Sequence, residues 1–339
     1  MRLASPSHRR PGPRAGASWP RSISRVKSAA AAVLLLALPA PASEAIPDKY
    51  PESPLYDRPI EVIPGVWSAI GATAPPTYEN TGHNNNLSFI VTGDGVVVVN
   101  GGAAYVLAKA LHEEIKAITD QPVRLVINEN GQGHAMLGNS YWADQGVPIL
   151  AHEDAARVFE ENGFQILEAM RRYNRDKAEG TELKGPDETF SDEYIVTMGD
   201  MRIEALHLGD AHSPGDISVW LPEQKLVISG DMAFHERMLP IFPDTCTSCW
   251  LDSWETAFEP LGAEIVIPGH GGPTDMATVR KYTHGYLTDL RAKIGAHLDA
   301  GGDLADAYYV DQREWADLDT FEELATKNAG RVYEEMEFE

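Results

Sequence analysis

The chain reads as an α/β protein made of two β-rich halves clad by helices, and three features of the sequence say so. Strand-like apolar runs recur in both halves, amphipathic helical stretches separate them, and several His and Asp residues stand just after an apolar run. Loops leaving strand ends are where α/β proteins carry their chemistry. With 339 residues and 43% hydrophobic content, the chain has ample material for a full layered core.

The first half opens with strands predicted at 61–70, 87–92 and 95–100, followed by an amphipathic helix over Tyr105 to Thr119. A strand at 123–128, a helix from near Met136 to about Ala143, a strand at 147–151 and a long helix to Arg172 come next. Residues 174–187 are polar and read as an irregular excursion. The second half repeats the pattern with strands at 202–208, 216–221, 225–230 and 264–267, then a helix over Ala277 to Leu298. A last helix spans Asp319 to Met336, and Thr320-x-x-Glu323 predicts a capping box at its start.

The most informative stretch is Asn128-Glu-Asn-Gly-Gln-Gly-His134-Ala135-Met-Leu-Gly-Asn139, which links the strand ending in Arg124-Leu-Val-Ile127 to the next helix. Downstream come Asp210-Ala-His212-Ser-Pro-Gly-Asp216, Leu226-Val-Ile-Ser-Gly-Asp231 and Ile265-Val-Ile-Pro-Gly-His270. This ordered set resembles the metallo-β-lactamase fold superfamily. Its members carry Asn-Thr-His-x-His-x-Asp-His, a later His, a later Asp or Cys, and a final Pro-Gly-His. The resemblance covers roughly residues 58 to 300 and implies an αββα four-layer sandwich with metal ligands gathered at one sheet edge. Laid on this chain, the first motif's His, His, Asp and His fall on Asn130, Gln132, His134 and Ala135, and the later His, Asp and His fall on His212, Asp231 and His270. Leu137-Gly-Asn139 closes the motif without a gap, so the four changes read as substitutions.

Those substitutions bear on what can bind. The family's first metal site keeps only His212 here, beside Asn130 and Gln132, and neutral amide oxygens are poor zinc ligands. The second site retains Asp231 and His270 and has His134 in place of Asp. A two-His-one-carboxylate set suits zinc with an open position, or ferrous iron. One ion, zinc first and iron second, is therefore expected, with His212 as a further candidate ligand. A lone His after a strand is more often a packed loop residue than a ligand, and only the shared register of the set outweighs that reading.

The resemblance implies a hydrolase in which metal-activated water attacks an ester, lactone or amide-type substrate. The proton acceptor is then the metal hydroxide itself, or Asp216, Glu129 or Asp210. Two alternatives belong to other classes: a non-catalytic binding protein on a decayed hydrolase scaffold, and an iron-dependent oxidase of sulfur compounds, as some relatives are persulfide dioxygenases. In those relatives the first motif His binds the iron, and Asn130 stands there in this chain.

Between the first strands, residues 72–86 occupy the place of the family's hairpin flap. Tyr78 and His83 are its candidate substrate contacts, with ordinary turn chemistry as the equal alternative. His152 and His235 also follow strands, and supporting roles outrank ligation for both. Cys246 and Cys249 are the only cysteines, and their Cys-Thr-Ser-Cys spacing predicts a small disulfide loop in an oxidising compartment.

Residues 1–27 hold seven basic residues and no acidic one, an Ala/Leu/Val run follows, and Ala40-Pro-Ala42 offers a cleavage site. Residues 1–42 therefore read as a signal peptide, which places the protein in the periplasm or outside the cell, with no membrane attachment after cleavage near Ser43. The predicted parts are this leader, an extension over 43–57, the main domain over 58–300 and a helical extension over 301–339. The full chain holds 28 basic and 51 acidic residues; removing the seven leaves 21 against 51, a net charge of -30. Such acidity disfavours nucleic acid and anionic membranes and leaves a small molecule as the expected partner. The sequence carries no signal for oligomeric state.

Overall fold

Strands buried on both faces read as continuous apolar runs, and Val96–Val99 is wholly Val and wholly buried. The computed structural model describes residues 49–339; the leader and the cleavage point near Ser43 lie outside them. Strands β1 (Ile60–Ile63), β2 (Val66–Ala69), β3 (Leu87–Val91), β4 (Val96–Val99), β5 (Val123–Asn128), β6 (Ile149–His152) and β7 (Glu188–Phe190) form one sheet in sequence order. Its first four strands are antiparallel, and β4 to β7 run parallel. The second sheet has the order β12 (Ile265–His270), β11 (Leu226–Phe234), β10 (Ser218–Leu221), β9 (Met201–Leu206), β8 (Glu193–Met198).

Three apolar layers hold the sheets and helices together. Helices α1 (Tyr105–Ile118), α2 (Gly133–Met136), α3 (Asn139–Asp144) and α4 (Glu153–Asn174) cover the first sheet, and Leu107, Leu111, Trp142 and Phe159 bury their apolar stripes against Phe89 and Val98. Val97, Val99 and Ile127 meet Ile203, Val219 and Ile228 between the sheets. Beyond the second sheet, α5 (Thr247–Ser253), α6 (Met276–Val279), α7 (Tyr286–Asp299), α8 (Leu304–Ala307) and α9 (Phe321–Met336) enclose Trp250, Trp254, Phe258 and Tyr286. The result is the expected αββα sandwich.

Differences from the sequence reading have local causes. The strand expected at 61–70 is the hairpin β1–β2, because Gly65 turns the chain at φ +83°. Strands β7 and β8 were not anticipated; β8 is a sheet edge with alternating half-exposed residues and a polar flavour that hides it. The predicted capping box is absent: Thr320 is left-handed at φ +65°, its hydroxyl is buried without a partner, and the turn closes through backbone bonds from Glu323 and Leu324 to Thr320.

Residues from 301 onward share the outer core, since Ala325, Ala329, Val332 and Tyr333 are buried in it. Asn328 fixes α9 to the loop after β11. Its Oδ1 accepts from Ile241 N at 2.9 Å, and its Nδ2 donates to Leu239 O and to the Tyr286 hydroxyl at 2.8 and 2.9 Å. Asn328→Leu should strand these buried groups and lower unfolding free energy by about 2–4 kcal/mol in chemical denaturation. A change under about 0.5 kcal/mol, the range of surface substitutions, would mean that α9 docks independently of this contact.

Candidate metal centre

Four strands with the loops that follow them and one short helix bring the chemistry together at one edge of the sandwich. Glu129 and Asn130 follow β5, His134 lies in the first turn of α2, and His212 sits in the loop between β9 and β10. Asp231 is within β11, and His270 ends β12. Backbone bonds stitch the two sheets here, from Ile217 N to Glu129 O at 2.8 Å and from Asn86 N to Gly269 O at 2.8 Å. The Asn86 side chain adds bonds from Nδ2 to Pro268 O and Gly271 O, both 2.7 Å, and accepts from Gly71 N at 3.1 Å.

Asp231 is the centre of the arrangement. His270 Nε2 lies 3.3 Å from its Oδ1, while His212 Nδ1 and His134 Nε2 lie 3.4 and 3.6 Å from Oδ2. Asn130 Nδ2 donates to Oδ2 at 3.1 Å. Burial alone would push this carboxyl towards its neutral form, but the imidazoles of His134, His212 and His270 hold it far below the usual carboxylate range. Two glycines make room for the acids. A Cβ on Gly269 would fall 2.5 Å from Asp231 Oδ1, and one on Gly230, at φ +56°, would fall 2.2 Å from Glu129 Oε2.

Among the described residues, His134, Asp231 and His270 offer ligand atoms that all lie within 4.8 Å of one another. Their chemistry fits a metal. Asp231 Oδ1 is buried without a hydrogen-bond partner. His270 Nδ1 donates to the Asn84 carbonyl, which fixes the proton there and leaves Nε2 as a lone-pair donor facing Asp231. Burial, with help from the Arg237 guanidinium, pulls the His270 pKa down to about 4, so the ring is neutral as a ligand must be. Phe234 stacks on it with ring centroids 4.9 Å apart.

Glu129 extends the cluster. Its Oε1 lies 3.1 Å from His134 Nε2, and burial together with the charge of Asp231 raises its pKa. His134 feels burial pulling its pKa down, yet Asp231 and Glu129 outweigh that and raise it. The amides that replace the first site's imidazoles are occupied otherwise: Asn130 Oδ1 accepts from Gln132 N at 3.0 Å, and Gln132 Nε2 lies 3.1 Å from His212 Nδ1. His212 is buried among Phe234, Phe242 and Trp250, with ring centroids 5.2–5.6 Å away, and burial lowers its pKa.

The remaining candidates are dispersed. Asp216 is buried with both oxygens held by Ser213, from N at 2.6 Å and from Oγ at 2.7 Å, and burial raises its pKa well above the ordinary value. Asp210 is exposed. His83 is fully buried, accepts from Tyr56 N at 2.9 Å, and burial lowers its pKa to about 4. Tyr78 packs under Lys177, whose Nζ is 4.3 Å from the ring centroid. His152 donates to Ser191 O and stacks on His207, and His235 pairs with Gly272 O. Sequence reasoning missed Arg237, 7% exposed and 3.4 Å from His270 Nδ1, and the Asn84–Asn86 pair that braces His270 and its strand. The available signals were a lone Arg inside the apolar stretch Met232 to Phe242 and an Asn run directly before a strand.

The family model of the metallo-beta-lactamase superfamily matches residues 134–270. The chain is 23% identical to the metallo-beta-lactamase type 2 of Bacteroides fragilis over 195 residues, 54% of this chain and 70% of that protein. It is 29% identical to the metallo-beta-lactamase type 2 of Bacillus cereus over 132 residues, 36% of this chain and half of that one. Among solved structures, a metallo-beta-lactamase from Pontibacter korlensis superposes with a TM-score of 0.57 at 21% identity, covering 68% of this chain and 99% of that one. A stereoselective inverting sec-alkylsulfatase from Pseudomonas sp. reaches a TM-score of 0.64 at 16% identity, over 82% of this chain and 50% of that one. Layer order, motif register and the family model over residues 134–270 agree, and in fold and in the placement of its His and Asp residues the chain is similar to the metallo-beta-lactamase superfamily.

Proposed function

We propose that the protein is an exported, metal-dependent hydrolase that works with one ion and acts on a small molecule with an ester, lactone or amide-type bond. The observation that carries this reading is the convergence of His134, Asp231 and His270 ligand atoms within 4.8 Å, around a buried carboxylate oxygen with no other partner. These three residues would hold the ion, zinc first and iron as the alternative. When bound, such an ion supplies an acidified water and polarises the substrate's oxygen.

The chain's own residues do the rest. His270 is kept neutral and oriented by the Asn84 carbonyl, and Asn130 holds Asp231 Oδ2 in place. Glu129 is the acid best placed to take a proton from attacking water, because it lies at the cluster while Asp216 spends both oxygens on Ser213 and Asp210 faces solvent. Where a second ion's imidazoles would stand, the Asn130 amide is spent on the Gln132 backbone N–H and on Asp231, and the Gln132 amide on His212, which supports a count of one.

Elemental analysis of protein purified without chelators should give about one equivalent of metal. Asp231→Ala and His270→Ala should each lose it, while Gln132→Ala should retain it; two tightly held equivalents would exclude the single-ion reading, and no metal at all would favour a binding protein on this scaffold.

His134 separates ligand from bystander. His134→Ala should release the metal and His134→Asp should keep it, since carboxylate oxygen also serves zinc. Equal metal content in all three proteins would remove His134 from the ligand set.

Glu129→Gln should leave metal content intact and slow turnover of whichever ester or lactam substrate the wild type accepts by roughly 10²–10⁴. Unchanged kcat would return the proton-accepting role to the metal-bound hydroxide alone.

A further inference from the structure

The Cys246–Cys249 bridge stands next to the candidate metal centre and has no evident packing duty there. The two residues span 5.3 Å between Cα atoms, and both are only half-buried. Each cysteine is followed or preceded by a residue that touches His212. Thr245, before Cys246, donates from Oγ1 to His212 O at 2.7 Å and also receives Phe242 N at 3.0 Å. Trp250, after Cys249, lies with its ring 5.6 Å from that of His212, and its Nε1 donates to Met232 O, one residue from Asp231, at 3.0 Å. Phe242, 40% exposed, covers the same imidazole at 5.2 Å. On the far side, Thr247 and Ser248 are pinned to Glu335 of α9, at 2.5 and 3.1 Å, and Arg291 closes that anchor at 3.3 Å. One flank is thus fixed while the other bears on His212.

We propose that Cys246–Cys249 is a thiol–disulfide exchange site for a dithiol co-reactant, and that its oxidation state is passed to His212 through Phe242, Thr245 and Trp250. The sulfurs differ in a way that sets the direction of attack. Cys246 Sγ accepts from Cys249 N at 3.2 Å and lies 3.6 Å from the Ser248 hydroxyl, so negative charge is best carried there. An incoming thiolate bonds to Cys249 Sγ, the bridge breaks, and its electron pair leaves on Cys246 as the stabilised thiolate. The co-reactant's second thiol, once deprotonated, displaces Cys249. The products are an oxidised co-reactant and two protein thiols; two electrons and two protons have moved to the protein. Opening the bridge frees residues 242–246, which lie between the Glu335 anchor at Thr247 and Ser248 and the His212 ring, so the Phe242 side of the imidazole's cover loosens.

The test is equilibration of the full-length protein with buffers of reduced and oxidised dithiothreitol, followed by alkylation and intact mass, with imidazole NMR signals recorded in parallel on metal-free samples. Two alkyl groups should be taken up reversibly within the folded protein, and the His212 resonances should shift on reduction. Cys249→Ser, which cannot form the bridge, should show the reduced-like His212 signals in every buffer, with unchanged far-ultraviolet circular dichroism. A bridge that opens only when the protein unfolds would overturn the exchange site. Reversible opening with no movement of the His212 signals would overturn its coupling to the centre. Neither outcome depends on hydrolysis or on a bound metal, so failure here is distinguishable from failure of the proposed activity.

Discussion

A single ionised carboxylate, buried and ringed by imidazoles, sets the terms for this edge of the fold. Removing Asp231 from water is costly unless positive charge or hydrogen-bond donors meet it. His134, His212 and His270 do so from three different segments of chain, and the Asn130 amide joins them from the same loop as His134. The electrostatic demand of one side chain therefore fixes where four segments end. It also leaves Oδ1, 3.3 Å from His270 Nε2, without a hydrogen bond, and that unmet acceptor, more than any motif letter, marks the cluster as a place for a cation.

Support for the cluster comes from backbone as much as from side chains. Asn86 uses both ends of its amide on the turn that carries His270 and on the turn at Gly71, and Glu129 lends its carbonyl to the second sheet while its carboxylate faces His134. Sheet spacing and candidate ligand geometry are consequently one variable. Placing a site on strand ends braced in this way is how rigid scaffolds hold reactive groups within small tolerances.

Much of this was legible from the chain alone, for identifiable reasons. Strands buried on both faces announce themselves by unbroken apolar runs, as in Val96–Val99, and the residues after such runs were bound to gather at a common edge; that logic found His134, His212, Asp231 and His270. Strand β8 escaped because an edge strand needs no strong pattern. Arg237 and Asn86 escaped because their roles are set by partners about 30 and 180 residues away, His270 for the first and Pro268 for the second, and local pattern holds no such information. Thr320 illustrates the reverse error: its neighbours spell a cap, but the chain must enter α9 from the β11 side, and that path imposes a left-handed residue which cannot make one.

The contact between Gly230 and Glu129 restricts how this centre can change over generations. With 2.2 Å between a would-be Cβ and a carboxylate oxygen, any side chain at 230 evicts the acid, while the strand's geometry there already disfavours one. Shortening or removing Glu129 alone would leave an enclosed gap beside a backbone that still has φ +56°, and filling that gap from 230 would strain it. The two positions form a lock in which neither single step is neutral, so a lineage that acquires this acid in this crevice is held to it even as the rest of the first motif drifts.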